Sequence, residues 1–556
     1  MSSHRPARRT LALAVLSLTL AASSAHATDY YLDSVGGNDA SAGTSASTAW
    51  HSVAPLRSLR LNPGDHVYFA RGSSFDTTNP SGSAAWDPGI WTQATSAGTA
   101  TNPITFTAYG TGATPILHNT RDSTGASAMT LRGSYVVIDG LELNYTRAGS
   151  IVIEDTATHV TVTNCEFHHV GAGVTAYGAY ATITHNYFHD GTIIVNTPGG
   201  TDDYGANGVV IAGPGIEVAY NRAERLITPC YDFGVDGGFV ELYGAMSDVS
   251  IHHNTVSNSD GFIEGGSGTS TDAITRLTIA YNLAIDNTSF TVFHNGGDGF
   301  AAMFSAVTIA NNTIVETTGT PTMFWSSTAP AAGAYNVFDN IVSTPGGRVF
   351  LRPGGITHTN NIFPPAAMAG VTLDATERAV DPRFVGGGDY HLAMGSPAID
   401  TGTTAPYPLD LDGVPVPSGA GSDIGAFEYV AAGSDGGVRV DAATDSATGT
   451  DSGADGISAT DAGATDSNTV DAIAMQDSSS DVGSASDAAR DTGGSQRDVA
   501  ADSGPPMDAA HCSCSTPGAS TPSFRFAASA FALVALAAGR QRARGGRANR
   551  RRFRST

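Results

Sequence analysis

A short alternating strand that ends in asparagine recurs along the middle of the chain, and it limits the possible folds more than any other feature. ATITHN ends at Asn186, IEVAYN at Asn221, VSIHHN at Asn254, LTIAYN at Asn282, VTIANN at Asn312 and YNVFDN at Asn340. THTNN at Asn361 is a weaker copy, and VTVTNC carries Cys165 at the asparagine position. The spacing, about 21 to 35 residues, is a solenoid period. Within a unit apolar and polar residues alternate, as Val249 and Ile251 do against Ser250 and His252. That is the periodicity of a strand. One short strand per turn cannot bury its own apolar face, so successive turns must stack. The asparagine itself is expected to take left-handed backbone angles and to bond through its amide to its counterpart one turn away.

This pattern resembles the right-handed parallel β-helix proteins of the pectate-lyase-like kind, over Thr28 to about Val430. YYLDSVGGNDASAGTSASTAW (Tyr30 to Trp50), LNPGDHVYFARG (Leu61 to Gly72) and NPITFTAYGTGATPIL (Asn102 to Leu117) look like the start of many secreted members. DPRFVGGGDYHLAMGSPAIDTG (Asp381 to Gly402) and SDIGAFEY (Ser422 to Tyr429) look like the usual last turns. The resemblance implies an all-β fold, a right-handed parallel β-helix. That fold hosts lyases, hydrolases, epimerases and adhesins, so function has to be argued from the site.

Of 556 residues, 28 are basic and 52 acidic, for a formal net charge of −24. That disfavours nucleic acid, which needs a basic surface. Every basic residue is Arg, so no lysine Schiff base or lysine general base is available. Residues 1–27 read as a secretory signal: Arg5, Arg8 and Arg9, an apolar stretch from Leu11 to Ala22, and Ala25-His26-Ala27 as a cleavage site. Residues 431–511 hold fifteen Asp, no Glu and three Arg, with almost no aromatics. Such a segment cannot bury enough apolar surface to fold, so a disordered, self-repelling stalk is expected. Residues 512–556 contain Cys512 and Cys514, an apolar run from Phe526 to Gly539 and an Arg cluster. This order resembles the C-terminal sorting tails of myxobacterial surface proteins. The resemblance implies a processing protease, attachment through Cys512 or Cys514, and tethering at the outer membrane, with membrane contact only through the tail. The apolar run rises only about 21 Å as helix, short of a bilayer core of about 30 Å. Cys165 and Cys230 are about three turns apart, beyond disulfide reach, so both are expected to be reduced, or at least not paired to each other.

A second strand recurs between the asparagine turns: GGFVELYG (Gly237 to Gly244), DGFIEGG (Asp260 to Gly266), TVFHNGG (Thr291 to Gly297) and PTMFWSS (Pro321 to Ser327). Aligning them stacks Glu241, Glu264, His294 and Trp325, with Val240, Ile263, Phe293 and Phe324 pointing inward. The column, together with Phe239, Phe262, Val292 and Met323, is then expected on the outer face. Two carboxylates about 5 Å apart repel, which raises one pKa, and such a pair can divide acid and nucleophile or base roles. Alternatively the pair could hold Ca²⁺ for a β-elimination, with His294 as base. Tyr243 and Trp325 are candidate sugar platforms. Two long Gly-rich loops, Thr197 to Gly208 and Cys230 to Gly238, bring Asp202, Asp203, Tyr204, Asp232 and Asp236 beside the column. Asp236 is a candidate catalytic group, Asp203 and Tyr204 candidate substrate contacts, and Asp202 and Asp232 candidate calcium ligands. His168, His169, His185, His189, His252 and His253 match no tight zinc spacing. Arg222, Arg225 and Arg276 either meet an acidic sugar or pair with nearby acids such as Glu224.

The expected function is extracellular polysaccharide processing, by a lyase or a glycoside hydrolase. A non-catalytic glycan-binding or adhesive surface protein is the competing reading. A monomer is expected, with calcium the one cofactor considered.

Overall fold

The computed structural model describes residues 27–431, apart from 201, 298, 319–321, 365–369 and 404. The first 26 residues, the acidic stalk beyond Ala431 and the tail with Cys512 and Cys514 lie outside the described residues. The described strands form three long parallel sheets of 13, 10 and 12 strands, each taking one strand from each successive turn. This is a right-handed parallel β-helix, built as stacking of the repeat requires. In the 13-stranded sheet Val162, Ile183, Val218, Ile251, Ile279, Ile309 and Val337 stack in register. All are buried in one hydrophobic cluster that runs from Leu32 to Phe363. Fully burying each such side chain contributes about 1.5–3 kcal/mol. On the outer side of the same strands Thr182, Glu217, Ser250, Thr278 and Thr308 form the solvated column.

The asparagines form a continuous buried ladder. Asn254 shows the unit: its Oδ1 accepts from the backbone N–H and the amide of Asn221, both at 3.0 Å. Its own amide donates to Val218 O at 2.9 Å and to Asn282 Oδ1 at 3.0 Å. The same bonds recur from Asn186 through Asn221, Asn282, Asn312 and Asn340 to Asn361, where the amide of Asn361 ends on Glu377 Oε1. Cys165 is the first rung. Its N–H donates to Asn186 Oδ1 at 3.0 Å, and its thiol lies 3.2 Å from Thr163 O. Burial pushes that thiol up to about 12. Cys165 and Cys230 are both free, as their separation predicts.

The expected backbone geometry needs one correction. The left-handed angles belong to the residue before each asparagine: His185, Tyr220, His253, Tyr281, Asn311, Asp339 and Asn360, at φ between 51° and 57°. Each costs about 1–2 kcal/mol for a residue with a Cβ. The cost is borne because the bend it makes turns the next side chain, the asparagine, into the interior.

The exit segment folds back along the ladder side of the helix. Gly425 N donates to Asp339 O at 2.9 Å, Ala426 N to Thr313 Oγ1 at 2.9 Å, and Asn311 Nδ2 to Asp423 O at 3.1 Å. Further back, the Tyr407 ring stacks on His252 at 4.2 Å. Asn254→Ala, in the middle of the ladder, leaves buried donors and acceptors on two neighbouring turns unpaired. It should destabilise the helix by about 3 kcal/mol or more, since each orphaned group costs about 1–3 kcal/mol. Cys165→Asn, which restores the consensus rung, should be neutral or stabilising. Chemical denaturation of the two variants checks both, and equal behaviour would mean the ladder carries no special weight.

Candidate active site

The ten-stranded sheet places the acidic column. Its strands Asn207–Ile211, Gly238–Tyr243, Gly261–Gly266, Ser289–Phe293 and Thr322–Ser326 are successive neighbours. Register pairs Val210 with Glu241, Glu241 with Glu264, Glu264 with Val292, and Val292 with Trp325. Glu241 and Glu264 therefore sit side by side on adjacent strands, about 4.8 Å apart along the helix axis. Two predicted column members are thus adjacent and Trp325 is two strands further on.

Two expectations fail in detail. His294 is not in the column: Val292 takes that position, and Thr291, not Phe293, pairs with Ile263. The slip is two residues, so His294 keeps the outward side. It reaches across the strand, with Nε2 at 2.9 Å from Glu264 Oε1. The second failure concerns Phe239, Phe262 and Met323, which are not on the outer face. All three are buried in the core cluster, with Phe239 stacked edge-on against Phe188 of the neighbouring sheet and against Phe262. Strict alternation does not extend to the first residues of these strands, where the chain is still turning in from the preceding sheet. Val292 alone of that set faces outward, partly exposed.

Glu241 keeps an opening to solvent, while protein crowds it from every other side. It makes no hydrogen bond among the described residues. Burial, then the charge of Glu264, pushes its carboxyl up to about 8, with His294 opposing. Asp236 ends the hairpin strand Gly234–Asp236 and leads into Glu241's strand. It is only 5% exposed, and its Oδ2 has no hydrogen-bond partner among the described residues. Burial, then Glu264, Glu241 and Asp260, raise its carboxyl well above the usual range. Asp260, the residue before Glu264's strand, was not singled out from sequence as a site residue. It is buried and pushed up to about 6 by burial and Glu264. An acid just ahead of a strand that carries a column Glu was the only signal for it.

Aromatic groups flank these carboxyls. The Trp325 ring lies 5.3 Å from His294, Phe300 lies 5.7 Å from His294 on another side, and Arg352 sits over Trp325 at 5.8 Å. Tyr243 is outward on Glu241's strand, two residues beyond it, with its pKa raised by burial and then by Glu241. Tyr204, on the short strand Tyr204–Gly205 before Asn207, packs against the small cluster of Ile194 and Val210 and feels the charges of Tyr177 and Glu241. Tyr243 and Tyr204 therefore sense the charge of Glu241, and Trp325 lies beside His294.

Asp202, Asp203 and Asp232 come together away from that pair, with ligand atoms within 4.8 Å of one another. Their hydrogen bonds describe a clasp. Asp203 accepts from the N–H groups of Thr197, Tyr231 and Asp232 at 2.6, 2.8 and 3.0 Å. Asp232 Oδ2 accepts from those of Asp202 and Asp203 at 2.8 and 3.2 Å. The oxygen-only donor set suits calcium in type, but backbone amides already claim Asp203, and joining the two loops accounts for the group. Arg225 and Arg276 are paired with Asp190 and Asp248, and Arg222 with Glu224. His168, His189 and His252 each pair with a Glu of the preceding turn.

The pH dependence of Glu241 has a definite sign. Its folded pKa of about 8 lies above the ordinary 4.5. It therefore favours the folded state at low pH and loses that contribution as pH rises through about 8. Glu241→Gln should raise the thermal midpoint at pH 9 and leave it unchanged at pH 4. An equal shift at both pH values would contradict the burial of this acid.

A family model described as the right handed beta helix region matches residues 127–363. Among solved structures, a pectate lyase is similar at 16% identity over 72% of this chain and 96% of its own, with a TM-score of 0.49. A rhamnogalacturonan lyase is similar at 14% identity over 60% and 87%, with a TM-score of 0.45. A lacto-N-biosidase from Eubacterium ramulus is similar at 14% over 60% and 67%, with a TM-score of 0.38. No curated protein matches the sequence. The three stacked parallel sheets and the family-model match make the chain a right-handed parallel β-helix in fold.

Proposed function

We propose that the protein is a glycan-cleaving enzyme that hydrolyses glycosidic bonds on the outer face of its ten-stranded sheet. Glu241 would be the general acid, and Glu264, oriented by His294, the nucleophile or base. The observation that supports this most is two adjacent carboxyls in unlike surroundings. Glu241 is crowded, without a hydrogen-bond partner, and pushed up to about 8, so it holds its proton at neutral pH. Glu264 is bonded to an imidazole at 2.9 Å. Two carboxyls whose environments separate them in this way can act as acid and nucleophile. A separation of about 5 Å favours retention of configuration. Elimination fits less well. It needs a base and a positive group for the substrate's carboxylate, yet the chain has no lysine, His294 is engaged with Glu264, and Arg352 donates to Ser326 O at 2.8 Å. Trp325, Tyr243 and Tyr204 would line the sugar path. The leader, stalk and tail would display the enzyme at the cell surface, tethered to the outer membrane.

Glu264→Gln should lower turnover by about 100-fold or more while fold and glycan retention persist. Reducing ends should appear without the ultraviolet absorbance of unsaturated sugars. An unchanged rate would remove the pair from the mechanism. Absorbance rising with reducing ends would replace hydrolysis by elimination, and retention without product would leave a glycan-binding protein.

A further inference from the structure

We propose that the glycan taken by this groove is a polycation, a chain of hexosamine units with free, protonated amino groups. The inference rests on the glycan reading above and adds the substrate class. Glu241 and Glu264 are paired on adjacent strands, and Asp236 and Asp260, just ahead of those strands, act electrostatically with them. A cluster of acids has several structural explanations, but Asp236 is not covered by them. It is 95% withdrawn from solvent, the charges of the other three acids reach it, and its Oδ2 receives no hydrogen bond among the described residues. A buried carboxyl oxygen left without a donor is costly. An ammonium group brings three donors and a positive charge.

Three arginines along the ten-stranded sheet are already engaged, while Arg348, on the strand next to Trp325's, is exposed. Arg132 bonds to Glu154 at 3.1 Å and lies over Trp91. Arg147 pairs with Asp122 and donates to Ile194 O at 3.0 Å. Arg352 is held by Ser326 O and Trp325. An acidic glycan would meet carboxyls and no unengaged guanidinium among these, whereas a neutral one would leave Asp236 unanswered. The field of the whole domain has the same sign, with 37 acidic residues against thirteen Arg between positions 28 and 430. Such a field draws cationic chains toward the groove. A single metal ion fits less well. Among the described residues the acids whose ligand atoms converge within 4.8 Å are Asp202, Asp203 and Asp232, not these four. Amino groups spaced along a sugar chain can serve carboxyls that do not converge on a point. Trp325 beside them offers an aromatic face to the same cations.

The test measures binding to the Glu264→Gln protein, which blocks cleavage and keeps Asp236, Glu241 and Asp260 for recognition. The probes are glucosamine hexamers, their fully N-acetylated counterparts and oligogalacturonate. The glucosamine chain should bind about tenfold tighter or more than the acetylated one, about 1.4 kcal/mol, and its binding should weaken with added salt. Adding Asp236→Asn, which keeps the acceptor for Gly237 N, or Asp260→Asn should each reduce that preference. Equal binding of the two hexamers, or preference for galacturonate, overturns the inference. Cleavage by the wild-type protein is read separately. A glucosamine chain that is bound but never cut supports the polycation reading and defeats hydrolysis. An acetylated chain that is cut without any preference for free amines does the reverse.

Discussion

The buried asparagine ladder is the interaction on which the rest of this molecule depends. A solenoid turn must change direction without leaving backbone N–H and C=O groups unpaired in the interior. Here each side-chain amide bonds a carbonyl of the preceding turn and the amide oxygen of the following one, and each oxygen receives two N–H groups. Every rung therefore needs its neighbours, and the turns are locked at a common height. The left-handed residue before each rung is held by the same arrangement. Where that residue is aromatic it gains further support from stacking, as His185, Tyr220, His253 and Tyr281 do at 4.8 to 5.4 Å.

With the register held by the ladder and the apolar interior, the outer face of each strand is free to vary. The ten-stranded sheet carries Val210, Glu241, Glu264, Val292 and Trp325 in one outward row, while the residues on either side of each stay in the core. Burying several acids together is unfavourable, and Asp236, Glu241 and Asp260 all have raised pKa values as a result. The large core offsets that cost. Strain concentrated at one place on a rigid scaffold is what a functional site looks like.

Much of this was legible in the sequence because period two survives small errors of alignment. Glu241 and Glu264 follow near-identical runs, GGFVE and DGFIE, so their adjacency could be read directly. His294 was placed by its distance to the next asparagine, but its strand ends early and the intervening residues belong to a loop. The resulting slip of two residues preserved its facing while changing its neighbours. Phe239 and Phe262 were misplaced because alternation was carried into a bend. Asp260 is signalled only by its place just ahead of a column Glu's strand, and the orphaned oxygen of Asp236 not at all. Both depend on how loops close over the sheet, and no periodicity governs that. Asparagine's tolerance of left-handed angles points one position late, to the rung itself and not to the residue before it that makes the bend.

The crowded carboxyls also make the groove a store of protons. Glu241 keeps its proton at neutral pH because protein and like charge surround it, and the same causes raise the proton affinity of Asp236. Any positive charge that enters lowers their proton affinity, so occupancy of the groove and release of hydrogen ions are thermodynamically linked. The linkage is reciprocal. Ambient acidity sets how readily a cation is admitted, and each cation admitted acidifies its surroundings by a countable number of protons. A groove of this kind answers to the pH of the medium it faces without any moving part.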